Sequence, residues 1–433
     1  MKIFCSGIGG IGLSAYAAYM NACGHEVLGS DQKESDLLSD LRSQGITIFP
    51  SQEASNVPDD TELFAYTLAL PQDHPEWRKA EKLGIRQLTY FQALGELTKD
   101  HSVIAVSGTH GKSSTTAMAA KVLIDAKLDP SVILGTKTQD LNNRNWRKGS
   151  CHAEQSRSIF LVEACEYHRS FLHLSPKILL ITNVTGDHFD AYKDMEDYQS
   201  AFKELIAKLP KDGLLITHGS DPACRELMEH APCKTIDADT YPLPKLQIPG
   251  KHMQENARLV VALSEYLGLK NAEESLAAYK GCWRRTEVKG TSKVGALIID
   301  DYGHHPNEVK ATLEGLREAY PDRRLVCVFQ PHTHDRVLKL YDLFTKAFRA
   351  ADLVIIPNIF AARSDRDQKK ADPEKLLADI AKESSVEVIY GESLERTEEL
   401  LPAILQKNDV VVTMGAGDVW KIAEKLIISR ELF

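Results

Sequence analysis

The sequence predicts an α/β protein of three domains in series, each built on a largely parallel sheet. Three observations carry that expectation. The chain has 433 residues, too many for one core at roughly 150 residues per domain. Short apolar runs of strand length alternate with longer amphipathic stretches, the order in which parallel strands and crossover helices follow one another. Fresh strand–helix series begin after the polar Thr98-Lys99-Asp100-His101 and again after Lys280-Gly281, so the expected domains are 1–99, 100–283 and 284–433.

The strand candidates are Lys2–Ser6, Glu26–Gly29, Leu63–Tyr66, Val103–Ser107, Ile159–Glu163, Ile178–Thr182, Ala296–Asp300, Leu325–Phe329, Leu353–Ile356 and Val410–Thr413. Apolar residues make up 43% and charged residues 26% of the chain, the make-up of an ordinary water-soluble protein. The net charge of -9 argues against a general nucleic-acid binder, which needs a positive face to neutralise phosphates. It leaves room for a local basic pocket that takes a small anion. Cys5, Cys23, Cys151, Cys165, Cys224, Cys233, Cys282 and Cys327 are scattered with no CxxC pair, so they read as reduced thiols rather than a zinc or disulfide framework. No apolar run reaches the ~18 residues of a membrane span, and the chain opens on a strand instead of a charged-then-apolar leader. The expectation is a cytoplasmic protein with no membrane or nucleic-acid partner.

The first strand runs into Gly7-Ile8-Gly9-Gly10-Ile11-Gly12. Glycines at positions 7, 9 and 12 permit a tight turn and close backbone approach to a pyrophosphate at a helix N-terminus. Gly10 lies in the same turn. Asp31 stands about twenty residues on, where an acidic side chain can meet a ribose hydroxyl. The pattern names a nucleotide-like ligand and equally suits a nicotinamide dinucleotide.

The fourth strand runs into Ser107-Gly108-Thr109-His110-Gly111-Lys112-Ser113-Ser114-Thr115-Thr116. This is a shortened GxxxxGK[ST] loop, with Gly108 three residues before Gly111. Backbone amides there cradle phosphates, Lys112 neutralises the outer ones, and the Ser113 hydroxyl can ligate Mg²⁺. Glu163 ends a strand, and Asp187-His188 follow another, at the edge where such sheets take ligands. Glu163 offers the oxygen a hard cation wants; His188 is a weaker ligand candidate, since a lone histidine is more often structural. In the last third, Asp300-Asp301-Tyr302-Gly303-His304-His305-Pro306 follows a strand, with Pro306 suited to the first helical position. It is either a capped turn or a site cluster. Gln330-Pro331-His332-Thr333-His334-Asp335-Arg336 follows the next strand without the companions a zinc site needs, and Met414-Gly415-Ala416-Gly417-Asp418 is another strand-to-helix turn.

Taken together these segments resemble the Mur ligase family, ATP-dependent enzymes that build the peptide stem of the peptidoglycan precursor. The matching pieces are GIGGIGLS from Gly7, SGTHGKSSTT from Ser107, EACEYHRSFLHL from Glu163, TNVTGDH from Thr182, DDYGHHPNE from Asp300, FQPH from Phe329 and GAGD from Gly415, in family order over nearly the whole chain. The resemblance implies a Rossmann-like N-terminal domain that binds a UDP-sugar, a P-loop-type central ATPase domain, and a Rossmann-like C-terminal domain that binds an amino acid. It implies ATP and Mg²⁺ as cofactors. Gly7, Gly9, Gly10, Gly12 and Asp31 would meet the UDP-sugar. Gly108, Thr109, His110, Gly111, Lys112, Ser113, Ser114, His252, Asn256 and Arg285 would meet ATP. Ser113, Glu163 and His188 would hold metal, with Lys112, Glu163, His188, Asp301 and His304 catalytic. His305 and Arg336 would meet the amino acid, and Arg284 pairs with Arg285 at the entry to the last domain.

Some positions depart from the family pattern. Ser113 stands where Thr is usual, His168 where the alanine-adding members carry an acid, and Thr333 where they carry an arginine. The segment from Thr67 to Glu76 matches only loosely the family's segment near the UDP-sugar. The implied reaction phosphorylates the lactyl carboxylate of UDP-N-acetylmuramate; the acyl phosphate is then attacked by the amine of L-alanine or a similar small amino acid, with domain closure keeping water out. His304 and His305 are both available to assist amine deprotonation. A recycling ligase adding a murein tripeptide to the same sugar has similar motifs, although FQPH favours the single-residue enzyme. A NAD-dependent dehydrogenase fits the first loop but not the second. A non-catalytic nucleotide switch does not explain Lys112, Glu163 and His188 together. Monomer and homodimer are both open.

Overall fold

The computed structural model describes residues 1–150, 158–186, 191–360 and 370–429. It contains three sheets, the three α/β domains the alternation of elements predicts. The first comprises β1 (Lys2–Ser6), β2 (Glu26–Ser30), β3 (Thr47–Phe49), β4 (Leu63–Tyr66) and β5 (Arg86–Thr89), in spatial order β3-β2-β1-β4-β5. The second comprises β6 (Ser102–Ser107), β7 (Ser131–Thr138), β8 (Arg144–Arg147), β9 (Ile159–Glu163), β10 (Ile178–Ile181), β11 (Leu214–Thr217) and β12 (Lys234–Asp237), in order β12-β11-β10-β6-β9-β7-β8. The third comprises β13 (Glu287–Ser292), β14 (Leu297–Asp301), β15 (Leu325–Phe329), β16 (Leu353–Ile356), β17 (Glu387–Tyr390), β18 (Val410–Met414) and β19 (Ile427–Ser429), in order β17-β16-β15-β18-β14-β13-β19.

Pairing is parallel throughout the first sheet. Among the described strands, antiparallel pairing occurs in the β7–β8 hairpin and at β13, which pairs that way with both β14 and β19. Strands buried on both faces, such as Leu-Leu-Ile-Thr of β11 and Leu-Val-Cys-Val-Phe of β15, are continuous apolar runs, as a sheet covered on both sides requires. Strand order reverses at β1 in the first sheet and at β6 in the second. Ligands of open α/β sheets sit at the carboxyl ends of strands at such a reversal, and both glycine loops leave from these two strands.

The chain divides into two compact units, Met1–Lys245 with Glu255–Tyr279, and Leu246–Gln254 with Lys280–Phe433. The first unit holds the first two sheets, which share a core. Within it the Tyr19 ring lies 5.5 Å from that of Phe160, and the Tyr19 hydroxyl 3.1 Å from Ser131 Oγ. The second unit holds the third sheet. The helix Lys251–Tyr266 gives its first residues to the second unit and the rest to the first. No disulfide joins any two of the described cysteines; Cys151 lies outside the described residues. No described helix is long and apolar enough to cross a membrane.

Candidate active site

The loop after β6 is built to hold anions. The backbone of Gly108 (φ 130°) and Gly111 (φ 84°) lies in the region open to glycine, and a side chain on Gly111 would collide with Asn256. Gly111 turns the chain into the helix Lys112–Asp125, whose first amides have no helical partner. A second loop, after β10, braces the first. Thr109 N–H donates to Asn183 O (3.0 Å), His110 N–H to Asn183 Oδ1 (3.1 Å), and Thr109 Oγ1 to Thr185 O (2.6 Å).

The four consecutive hydroxyl residues divide their work. Thr115 and Thr116 return their hydroxyls to helix carbonyls, at 2.9 Å from Gly111 O and 2.8 Å from Lys112 O. Ser113 instead donates to Glu163 Oε1 at 2.9 Å, while Gly135 N–H donates to Glu163 Oε2 at 2.7 Å. Ser114 is buried beside it. Lys112 Nζ lies 2.6 Å from Gly108 O, 2.9 Å from Thr109 O and 2.9 Å from Glu166 Oε2. Burial pulls the Lys112 ammonium down, but the carboxylate of Glu166, aided by Cys165 and Glu163, outweighs it and leaves the pKa raised. Lys112 is therefore a fixed cation at neutral pH.

These residues fit a phosphate–divalent-cation site. A hydroxyl and a carboxylate sit within one hydrogen bond of each other, the oxygen donors a hard cation prefers. Ser107 Oγ and Thr185 Oγ1 beside the loop are buried without a partner, which in a native interior points to an absent partner group. Asn256 lies against Gly111, where a Cβ would stand 2.4 Å from its Oδ1. His188, the expected second metal ligand, lies outside the described residues.

At the first glycine loop, the amides of Gly7 and Ile8 donate to Ser30 O at 2.9 and 3.1 Å. Gly10 caps the helix Ile11–Ala22, and Gly12 packs so closely on Tyr90 that a Cβ would stand 2.6 Å from the ring. Asp31, expected to face a ribose, spends one oxygen on Gly9 N–H (2.9 Å) and the other on Lys33 N–H (3.0 Å). It shapes the loop.

In the second unit the Asp301 carboxylate is buried and accepts from Thr286 N (2.7 Å), Thr286 Oγ1 (3.1 Å) and Gly303 N (2.6 Å). Burial pushes its pKa up, against the pull of Arg285 and these donors. His305 is buried and caps the helix Pro306–Ala319, with Nδ1 accepting from Asn307 N–H at 3.2 Å and Glu308 returning the capping box. His304 is the more accessible of the two histidines; its ring stands 5.4 Å from Tyr302 and 5.7 Å from His332. Arg285 lies over Tyr302 with its carbon 5.0 Å from the ring centre. His252 is pushed down by burial, with Asp301 and Glu308 opposing. Arg336 is the third residue of the helix His334–Lys339, where the N-cap Thr333 Oγ1 accepts its backbone N–H at 3.3 Å.

Three partners were not read from the sequence: Glu166 on Lys112, Asn183 bracing the loop, and Glu76 beneath the first loop. Among the described residues one His/Asp/Glu group has metal-like spacing, His218, Asp239 and Glu255. Arg258 already supplies its cation, donating to Asp239 at 3.1 Å and Glu255 at 2.8 Å.

Three family models match the chain in order: "Mur ligase family, catalytic domain" over residues 2–102, "Mur ligase middle domain" over 106–254, and "Mur ligase, glutamate ligase domain" over 284–417. The chain is 34% identical to the UDP-N-acetylmuramate–L-alanine ligase of Clostridium novyi, covering 99% of this chain and 98% of that one. It is 35% identical to the enzyme of that name from Clostridium kluyveri, covering 98% and 97%. The crystal structure of the UDP-N-acetylmuramate-alanine ligase of Thermotoga maritima superposes with a TM-score of 0.81 at 29% identity over 98% of each chain. A murein peptide ligase of Psychrobacter arcticus shares the fold at 21% identity and a TM-score of 0.72 over 98% of each chain. Similarity of this depth over all three sheets, on top of a phosphate loop assembled from the family's own segments, leaves one conclusion: the chain belongs to the Mur ligase family.

Proposed function

We propose that this chain is an ATP-dependent, ADP-forming ligase that joins L-alanine to the lactyl carboxylate of UDP-N-acetylmuramate in peptidoglycan precursor synthesis. The observation that carries the reading is the gathering of Lys112, Ser113 and Glu163 at one glycine loop, in a chain that matches L-alanine ligases end to end.

The family resemblance suggests the roles, and the geometry of the phosphate loop supports those assigned there. The first amides of the helix Lys112–Asp125 and the Lys112 ammonium hold the outer phosphates of ATP, and Asn256 meets the base. Ser113 and Glu163 are the residues that would hold Mg²⁺, which offsets the charge of phosphates and carboxylate as they approach. The γ-phosphoryl passes to the lactyl oxygen, ADP leaves, and the neutral amine then attacks the acyl carbon and expels phosphate. Phosphoryl transfer asks the protein mainly for positioning and charge, which this loop offers. Gly7–Gly12 receives the UDP diphosphate, and Arg336 takes the α-carboxylate of the amino acid. The reaction needs no membrane or nucleic acid and belongs in the cytoplasm.

Two measurements test this. UDP-N-acetylmuramate, and ATP with Mg²⁺, are each expected to raise the melting temperature by several degrees at about 100 Kd, equivalent to ~2.7 kcal/mol. NAD and NADP are expected to leave it unchanged. A shift with a nicotinamide nucleotide alone would overturn the assignment. Phosphate release with UDP-N-acetylmuramate and each amino acid or murein tripeptide in turn then identifies the accepting amine, and L-alanine should be preferred.

Arg336→Ala is expected to raise the Michaelis constant for the amino acid by roughly 10- to 100-fold, the worth of a charge-assisted hydrogen bond. Those for ATP and UDP-N-acetylmuramate should stay within about threefold. Initial-rate kinetics decide: an unchanged constant for the amino acid would leave Arg336 a purely structural role.

A further inference from the structure

Beneath the first glycine loop lies a buried carboxylate that the reaction does not use. Glu76, in the first turn of the helix Pro75–Lys82, is 0% exposed. Its Oε2 accepts from Ser6 Oγ at 2.5 Å and from Ser30 Oγ at 2.7 Å, and its Oε1 accepts from Asn56 Nδ2 at 3.3 Å. All these partners are neutral, and the charged group that acts on it is another acid, Asp31. An isolated buried carboxylate is costly, so its hydrogen bonds must hold something in place.

What they hold is the loop. Ser6 ends β1 and leads directly into Gly7. Ser30 ends β2, and its carbonyl receives the amides of Gly7 and Ile8 at 2.9 and 3.1 Å. Asp31, the next residue, takes Gly9 N–H. One side chain thus ties together the residue that enters the loop and the residue on which the loop's first amides rest.

We propose that Glu76 is a positioning residue for the nucleotide-sugar site, clamping Ser6 and Ser30 so that the turn Gly7–Gly10, its own amides tied to Ser30, Asp31 and Gly7, holds the first amides of the helix Ile11–Ala22 ready for a diphosphate. The proposal rests on the reading of that loop as the UDP site. A diphosphate bound by backbone amides rewards donors already in position, because binding then carries no ordering cost. Glu76 acts on binding and touches neither ATP nor the reacting atoms.

The test compares Glu76→Ala, Glu76→Gln and Ser30→Ala with the wild type. Calorimetry measures the Kd for UDP-N-acetylmuramate, and initial rates measure turnover. Glu76→Ala is expected to weaken UDP-sugar binding by about tenfold or more, chiefly through the loss of its two buried hydrogen bonds to the serines. Turnover at saturation and the Michaelis constant for ATP should stay within about twofold. Glu76→Gln, which keeps an acceptor oxygen for the serines, should recover most of the affinity. Ser30→Ala should show a smaller loss of the same kind and substitutes for Glu76→Ala if that variant does not fold. Wild-type affinity in both Glu76→Ala and Ser30→Ala would overturn the proposal. So would a loss spread equally over both substrates and turnover, which marks a general packing role. A wild-type protein that does not bind the UDP-sugar would instead overturn the loop assignment beneath it.

Discussion

Lys112→Ala is expected to lower turnover by at least ~100-fold, because it removes the fixed cation that the phosphate loop offers to developing charge in the transition state. The same substitution has a second consequence that must be separated from the first. Glu166 is 0% exposed, and Lys112 is its ion-pair partner at 2.9 Å. Removing one member of a buried pair leaves an uncompensated charge, at a cost of about 3–5 kcal/mol. The alanine variant should therefore also melt earlier. The double substitution Lys112→Met with Glu166→Gln removes both charges together and should recover most of the lost stability while turnover stays low. Phosphate-release rates and melting curves on the same samples check both halves. Near-normal turnover in either variant would mean that Lys112 does not serve the phosphates. Binding of UDP-N-acetylmuramate, proposed above to rest on the first glycine loop, should barely change.

The pair also shows where sequence reasoning stops. Lys112 announces itself, because strand, glycine turn, lysine and hydroxyl residues stand in one short window. Glu166 does not, because its partner is 54 residues away and nothing local marks a carboxylate as an ion-pair member. Glu76 is further removed still, at 70 residues from Ser6 and 46 from Ser30. The contacts that fix a site are long-range, whereas motifs are local. The same limit governs the sheets. The continuous apolar strands Ile-Phe-Leu-Val of β9 and Val-Val-Val-Thr of β18 are legible as interior strands. The short edge strands are not: Arg-Asn-Trp-Arg of β8 and Lys-Thr-Ile-Asp of β12 are mostly polar, since an edge strand has a face or a side in water. The β8 half of the β7–β8 hairpin escaped for that reason; β13 lies between β14 and β19 and escaped because Glu-Val-Lys-Gly-Thr-Ser carries no apolar run. Pro306 illustrates the opposite case. Its place at the first helical turn was legible, and the structure puts it there with His305 as the cap because proline's fixed φ and missing N–H suit no other helical position so well. His305 Nδ1 is thereby engaged at the start of its helix.

Arg284→Met is expected to cost the second unit about 3–5 kcal/mol, the penalty for stripping one partner from a buried ion pair. Arg284 is 4% exposed. Its Nε donates to Asp300 Oδ2 at 2.9 Å, and its two terminal nitrogens donate to the carbonyls of Gly415 and Gly417. The guanidinium thus joins the end of β14 to the turn after β18, and methionine fills the space while satisfying none of the three acceptors. The loss should depend on pH, with a definite sign. Burial pushes Asp300 up to about 6 against the opposing pull of Arg284. A carboxyl whose folded pKa exceeds its unfolded value, ~3.9, keeps its proton longer in the native state, so stability falls as pH rises through that interval. Without Arg284 the folded pKa rises further, and the interval extends upward beyond about 6. The deficit of the variant relative to the wild type should therefore be smallest in mild acid, where Asp300 is protonated in both, and should grow between roughly pH 5 and 8. Urea unfolding of both proteins across that range measures it. A deficit below about 1 kcal/mol, or one that shrinks as pH rises, would show that Arg284 is not the counter-charge of Asp300 and that the Gly415–Gly417 turn is held by other means.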